Sequence, residues 1–250
     1  MADTKERILQ TALHLFARDG YEAVSVSMIA GKLGMTKGSL YRHYRSKRDI
    51  FGSIVKRMEQ NDSERARAYQ MPEGAFEHMA ETYRSTPIER IAAYTEAQFR
   101  YWTEDEFASD FRRLLILEQY RDPEMAALYQ NLLAAGPVGY MKDLFRELMG
   151  RGRGLLKPGD PGQMALEFYA PLHLLMSIFD AAEGRTEAIR QVRTHIQRFF
   201  RFYAAEEACA QGSRDNGNQK SGIEEGCTLG MVLQRHSKAG THGDAMQANE

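Results

Sequence analysis

Ser25-Val26-Ser27-Met28-Ile29-Ala30-Gly31-Lys32-Leu33-Gly34-Met35-Thr36-Lys37-Gly38-Ser39-Leu40-Tyr41-Arg42-His43-Tyr44-Arg45-Ser46-Lys47 is the stretch on which the reading of this chain turns. Val24 to Met28 alternates like a strand, but the alternation is brief. Ser25 is a good N-cap for a short helix carrying Ile29 and Leu33. Gly34 then allows a tight turn, and Thr36 caps a second short helix running from Lys37 to about Tyr44. Ala30 is small where the two helices would cross, and Ile29, Leu33 and Leu40 supply the core between them. Two short helices joined in this way have the dimensions of a helix-turn-helix, whose second helix enters the DNA major groove. The free N–H groups at its start suit phosphate, and Gly38 lets that start approach closely. Lys37, Arg42, Arg45, Lys47 and Arg48 add charge, while Ser39, Tyr41, His43 and Tyr44 offer hydrogen-bonding tips. The plainer alternative is a helical hairpin inside a core with its charges solvated. The coincidence of cap, turn glycine and cations outweighs it.

Outward from this stretch the whole chain reads as helix. Valine occurs only six times, while Ala, Leu, Glu, Arg and Gln abound. Asp3 and Glu6 have capping-box spacing ahead of Ile8, Leu9, Ala12, Leu13 and Phe16, with Gly20 as the stop. Ser46 and Asp49 repeat the box before a helix with Ile50, Ile54, Val55 and Met58 that extends to about Tyr69. Beyond it, breakers at Met71-Pro72-Glu73-Gly74, Thr86-Pro87, Asp122-Pro123, Gly136-Pro137 and the Gly150 to Gly162 loop separate segments of helical length. These segments are about 75–84, 88–102, 104–121, 124–149 (whole, or broken at Gly136-Pro137), 161–183 and 186–204. The expected fold is all-α: an N-terminal three-helix helix-turn-helix domain (1–50), joined by a long helix to a C-terminal helical ligand-binding and dimerisation bundle (51–204). A polar, flexible tail follows (205–250).

With 250 residues, 43 % hydrophobic and 27 % charged, the chain is of ordinary globular composition. The net charge of −1 hides an asymmetry. Residues 1–60 hold 11 Lys and Arg against 6 Asp and Glu, and Lys32 to Arg48 holds six basic residues and no acid. One end is therefore suited to a polyanion. The two cysteines, Cys209 and Cys227, stand late in polar surroundings, which excludes a disulfide scaffold and a structural zinc site. An N-terminus without an apolar signal core, and a longest apolar run (Met164 to Phe179) too short to span a bilayer, predict a cytoplasmic protein that does not contact membranes.

Residues 29–47, with the first helix and Phe16, Gly20 and Tyr21, closely resemble the DNA-binding signature of TetR-type transcriptional regulators over about residues 5–55. The resemblance implies a homodimer that binds a near-palindromic double-stranded DNA operator, usually represses, and is released by a small-molecule effector in the C-terminal domain. Carried over position by position, Ser25 and Lys47 would contact phosphate, and Thr36, Lys37, Ser39, Tyr41 and His43 would belong to the recognition helix. The chain departs from the pattern at Gly31, which costs about 1 kcal/mol of helix propensity against Ala. It also departs at Met28, where an acidic partner for the Ser25 cap is expected, and at Leu33, which replaces a small residue.

The helix over 164–179 is apolar nearly all round, so it is expected to be buried against its own core and against a second subunit. By resemblance it dimerises with the last helix through Phe168, Leu172, Leu175, Phe179, Ile189, Val192, Ile196 and Phe199. The region around Tyr94, Phe99, Tyr101, Trp102, Phe107, Phe111, Tyr120 and Tyr169 is dense in aromatics, with Gln98, Glu118 and His173 as polar groups. Tyr94, Gln98, Phe99, Trp102, Phe111, Glu118, Tyr169 and His173 are the candidate ligand contacts. Pro171, inside its helix, removes a backbone hydrogen bond where space could open. Enzymatic readings find no support. Gly150-Arg-Gly-Arg-Gly lacks the strand and the Gly-Lys-Ser/Thr of a phosphate loop, the histidines lack metal-helix spacing, and no Gly-x-Ser-x-Gly elbow occurs. No catalytic residue, cofactor or metal is expected. The alternative to a ligand-released repressor is a DNA-binding organiser whose C-terminal bundle holds a protein partner.

Overall fold

A computed structural model describes residues 2–71 (side chains from Thr4), 86–150, 155–181 and 185–205. The segment expected as a helix over about 75–84, both cysteines and the tail from residue 206 lie outside the described residues. Within them the chain is helical. The helices are α1 (Ala2–Asp19), α2 (Val26–Lys32), α3 (Lys37–Tyr41), α4 (Lys47–Ala68), α5 (Ile88–Glu104), α6 (Glu106–Glu118), α7 (Pro123–Leu133), α8 (Ala135–Met149), α9 (Pro161–Asp180) and α10 (Arg185–Tyr203). Helix α1 has already begun at Ala2, so Asp3 lies in its first turn rather than ahead of it.

Local chemistry accounts for the helix ends. Ser25 Oγ accepts the Met28 N–H at 3.2 Å, so the cap forms without an acidic residue at position 28. Helix α2 stops at Gly34 (φ +67°), where Gly34 N–H donates to the Gly31 carbonyl and Met35 N–H to the Ala30 carbonyl. That crossed pair is a Schellman closure, and it makes Gly34 the residue that turns the chain into α3. Thr36 Oγ1 caps α3 on Ser39 N–H at 3.1 Å. Ser46 Oγ caps α4 on Asp49 N–H, and Asp49 Oδ2 accepts from Arg45 N–H in return. The stretch expected over 124–149 is two helices, α7 and α8. They part at Ala134 (φ −131°, ψ −97°), just before Gly136, where an added Cβ would sit 1.8 Å from the Asn131 carbonyl oxygen.

Two cores form. The first joins the buried faces of α1, α2, α3 and early α4 to α6 and α7, through Phe107, Phe111, Leu114, Leu115, Met125 and Leu133. The second holds late α4, α5, α8, α9 and α10 around Phe145, Phe168, Phe199 and Phe200. Helix α4 belongs to both: Ile50, Phe51, Ile54 and Met58 enter the first and Ala66 the second. The N-terminal unit is therefore seated on α6 rather than hung from α4 alone. Leu156 pairs with Ala204 as an isolated antiparallel bridge that fastens the start of the 155–160 loop to the end of α10.

Candidate nucleic-acid interface and ligand cavity

Helix α3 keeps Leu40 fully buried and turns Thr36, Lys37, Tyr41 and Arg42 to solvent, with Ser39 and His43 half-buried. Lys37 Nζ lies 5.8 Å from the centre of the Tyr41 ring, and Arg42 Nη2 donates to Ser39 Oγ at 3.1 Å. Ser25 is exposed at the start of α2, its hydroxyl occupied by the cap. Lys47 is placed differently from a free phosphate contact. Its amino group donates to the Tyr21 carbonyl at 2.9 Å and lies 4.2 Å from the centre of the Tyr21 ring. Tyr44 is buried, and its hydroxyl donates to the Lys5 carbonyl at 3.4 Å, so it fastens α1 rather than reaching outward.

A cavity of about 140 Å³ lies between the two cores, lined by α4, α5, α7, α8 and α9. Helix α4 contributes Met58, Asp62 and Arg65, and α5 contributes Tyr94, Thr95, Gln98, Phe99 and Trp102. Asn131, Leu132, Pro137, Tyr140 and Met141 come from α7 and α8, and Tyr169, Leu172 and Met176 from α9. The lining is mainly apolar. Its polar side is an Asp62–Arg65 ion pair at 2.8 Å, bridged by Gln98 and extended to the Tyr94 hydroxyl. Burial raises the Asp62 carboxyl above its usual range. Tyr169 donates to the Leu133 carbonyl at 2.9 Å, and burial raises its phenol as well.

Five of the expected ligand contacts, Tyr94, Gln98, Phe99, Trp102 and Tyr169, are brought together on this lining. Phe111 and Glu118 stand elsewhere. Phe111 is fully buried in the first core, and Glu118 Oε1 accepts the Tyr21 N–H at 3.0 Å. His173 lies behind the lining against Tyr129 and Tyr169, with its Nδ1 buried and unpaired among the described residues. Burial and the nearby Arg112 lower its pKa, which favours a neutral ring.

The cavity wall is tied to the N-terminal unit through α6. Arg112, 2 % exposed, donates to the Trp102 carbonyl at 3.0 Å and to both Asp180 oxygens at 2.9 and 2.7 Å. It thereby locks the end of α5 and the end of α9 onto α6. At the other end of α6, Glu118 holds the Gly20–Tyr21 turn, and the Tyr21 carbonyl holds Lys47. His14–Asp110 at 3.1 Å and Arg48–Glu124 at 3.0 Å add ties across the same boundary.

Of the expected dimer contacts, Phe168, Leu172, Phe179, Val192, Ile196 and Phe199 are spent on the core of the single chain, and Leu175 and Ile189 are half-buried. The apolar side chains that α9 leaves in solvent are Leu166 (50 %), Leu174 (61 %) and Ile178 (42 %).

Residues 8–54 match the family described as bacterial regulatory proteins, tetR family. The chain carries a TetR-type helix-turn-helix domain. Among curated relatives, 68 residues are 37 % identical to the HTH-type transcriptional regulator AcrR of Shigella flexneri, covering 27 % of this chain and 32 % of that one. A 47-residue stretch is 43 % identical to the uncharacterized HTH-type transcriptional regulator YerO of Bacillus subtilis, covering 19 % and 16 %. The chain thus spans about a third or less of these relatives' length. Solved structures extend the likeness of fold. SmeT of Stenotrophomonas maltophilia, in complex with triclosan, superposes with a TM-score of 0.61 at 18 % identity, over 89 % of this chain and 100 % of that one. A Saccharomonospora viridis structure in complex with choline gives 0.56 at 21 % identity, over 82 % and 100 %.

Behind the TetR-type domain, sequence reasoning found Gln98 and Tyr94 but missed the α4 side of the cavity's polar network. Met58, Asp62 and Arg65 recur at helical spacing on α4, continuing the buried line of Ile50, Ile54 and Met58. That continuity was the available signal. A charged pair there reads as a solvated face until α5 is packed over it. Among the described residues no group of acidic, histidine or cysteine side chains has the arrangement of a metal site, and no helix is long and apolar enough to cross a membrane.

Proposed function

We propose that this protein is a dimeric transcriptional repressor released from a near-palindromic operator by a small, largely apolar ligand. Residues 1–50 bind DNA, and residues 51–204 hold the ligand and the second subunit. The reading is carried by one observation: a concave, mainly apolar cavity is linked through α6 to the turn beside an exposed helix-turn-helix. Thr36, Lys37, Tyr41 and Arg42 face the base edges, supported by Ser39 and His43, and the Ser25 end of α2 lies along the phosphates. Lys47 orders the Tyr21 turn. The stripe of Leu166, Leu174 and Ile178, widened by Leu175 and Ile189, meets its copy across a two-fold axis. Two recognition helices must then stand roughly 34–36 Å apart to enter successive major grooves.

A ligand that spreads α5 from α9 pulls on the Arg112 clamp, shifts α6, and moves the Gly20–Tyr21 turn with the helix-turn-helix above it. Spacing between the two recognition helices changes, and operator affinity falls. A concave, mainly apolar cavity of about 140 Å³ supports a small effector over a protein partner, which would need a broad face.

The test is selection of bound sequences from a random duplex pool, with particle mass measured in parallel. An inverted-repeat motif bound by a dimer is expected. Tight recovery without sequence preference would replace this reading with that of a DNA organiser.

A further inference from the structure

The charges inside the cavity are already cancelled by the chain itself. Asp62 and Arg65 stand one turn apart on α4. The Arg65 guanidinium donates to Asp62 Oδ1 at 2.8 Å, to Gln98 Oε1 at 3.0 and 3.3 Å, and to the Asn61 carbonyl at 3.1 Å. It also lies over the Tyr101 ring, 3.2 Å from its centre. Its donors are nearly all used. Gln98 Nε2 adds a second hydrogen bond to the same carboxylate oxygen, Oδ1, at 3.2 Å. Asp62 Oδ2 accepts no hydrogen bond among the described residues. The cavity therefore offers an acceptor oxygen on an ion pair of zero net charge, set in a wall of aromatic rings and methionine thioethers.

Resting on the reading of this cavity as the effector site, we propose that its ligand class is an uncharged monocyclic phenol. The ring lies among Phe99, Trp102 and Met176, and the hydroxyl donates to Asp62 Oδ2. Size limits the ligand first. A cavity of about 140 Å³ is close to the roughly 150 Å³ space that holds one benzene ring. Charge limits it next. A carboxylate ligand would compete with Asp62 for a guanidinium already committed, leaving one anion uncompensated. An ammonium ligand would lie beside Arg65, with Asp62, the only acidic side chain among the described lining residues, already paired. Both costs count against side chains that are only 26 % (Asp62) and 18 % (Arg65) exposed. A neutral O–H brings no charge and supplies the donor that Oδ2 lacks, in a charge-assisted hydrogen bond. The flat ring and the soft sulfur of Met58, Met141 and Met176 suit one another.

Trp102 is the only tryptophan in the chain and lines the cavity, so its emission reports occupancy at this place. The full-length protein is titrated with 3-methylphenol, toluene, benzoate and benzyltrimethylammonium. The phenol is expected to bind about tenfold more tightly than toluene, with both ions weaker than toluene. In Asp62→Asn the advantage of the phenol over toluene should fall below about threefold. Benzoate should become the tighter of the two ions, because Arg65 has lost its carboxylate. Retained toluene binding by that variant marks an intact cavity. Toluene binding as tightly as the phenol, or either ion binding the parent protein more tightly than it, overturns the ligand class and leaves the cavity reading standing. Trp102 emission unmoved by every probe overturns the cavity reading and the ligand class together.

Discussion

Gly20 and Glu118 form a contact through which α6 touches the turn ahead of the helix-turn-helix, and its strength can be measured by a double-mutant cycle. Gly20 has φ +89°, a conformation that L side chains rarely adopt. An added Cβ would stand 2.8 Å from Glu118 Oε1. The carboxylate has little room to yield, being 4 % exposed and bonded to the Tyr21 N–H at 3.0 Å. Gly20→Ala in the parent protein therefore carries two costs. The left-handed backbone costs about 1–2 kcal/mol. Displacing the carboxylate forfeits a charge-assisted hydrogen bond worth about 1.5–3 kcal/mol. In a Glu118→Ala background the second cost has already been taken, so Gly20→Ala should cost only about 1–2 kcal/mol. The expected coupling is thus about 2 kcal/mol, well beyond the roughly 0.5 kcal/mol scatter of independent sites. Urea unfolding of the four proteins gives each term. Equal costs for Gly20→Ala in both backgrounds would refute this contact as one of the links between the N-terminal unit and α6. If the link also transmits the ligand signal, Glu118→Ala reduces the ligand-induced loss of operator affinity measured by fluorescence anisotropy.

Lys37→Ala and Tyr41→Ala should each lower operator affinity by about 1–3 kcal/mol while the dimer mass is unchanged, and unaltered affinity in both would remove α3 from the DNA. Lys47→Met should lower unfolding stability by about 1 kcal/mol, because the Tyr21 carbonyl loses its donor. Its slope of log affinity against log salt should change by clearly less than 0.9 units, whereas a full 0.9 would place the amino group on phosphate instead. Leu174→Glu should yield a folded monomer by sedimentation with operator binding lost, and a dimer of parental stability would move the interface off this stripe. By contrast, Phe199→Ala should cost about 3–5 kcal/mol in unfolding stability, since that ring belongs to the core of the single chain. Glu96 has its carboxyl lowered chiefly by the Arg193 hydrogen bond that joins α5 to α10. A lowered folded pKa contributes stability above the unfolded value of about 4.3 and loses it as pH falls through the folded value. Glu96→Gln should therefore be up to about 1 kcal/mol less stable at pH 7, with the gap closing in acid. A gap unchanged at pH 3 would detach this pair from stability.

The short-range part of the structure is readable because its causes lie within a few residues of one another. Ser25, Thr36 and Ser46 cap N–H groups three positions ahead, and Gly34 and Met35 close α2 on carbonyls three and five positions behind them. Such bonds need no distant partner, so the residue types alone predict these helix ends and the all-helical class, although the expected Asp3 cap falls inside α1. The same holds for the exposed face of α3, since burying Leu40 dictates where Lys37 and Tyr41 point.

Side chains with long-range partners were not readable in this way. Glu118 looked like a polar group in an aromatic region, and its partner, the Tyr21 N–H, stands 97 positions away. Helix α9 is apolar nearly all round, so no periodicity tells which face meets the chain's own core. The packing of α8 and α10 takes Phe168, Leu172 and Phe179 inward and leaves Leu166, Leu174 and Ile178 outside. Asp62 and Arg65 become a cavity wall only because α5 lays Gln98 and Tyr101 across them. Residue order alone settled the all-helical class, the caps at Ser25, Thr36 and Ser46 and the exposed edge of the helix-turn-helix, because those follow from bonds along one segment of backbone. The cavity, its cancelled charge and the route through α6 were decided by tertiary structure alone, because each needs side chains from helices whose approach no local pattern encodes.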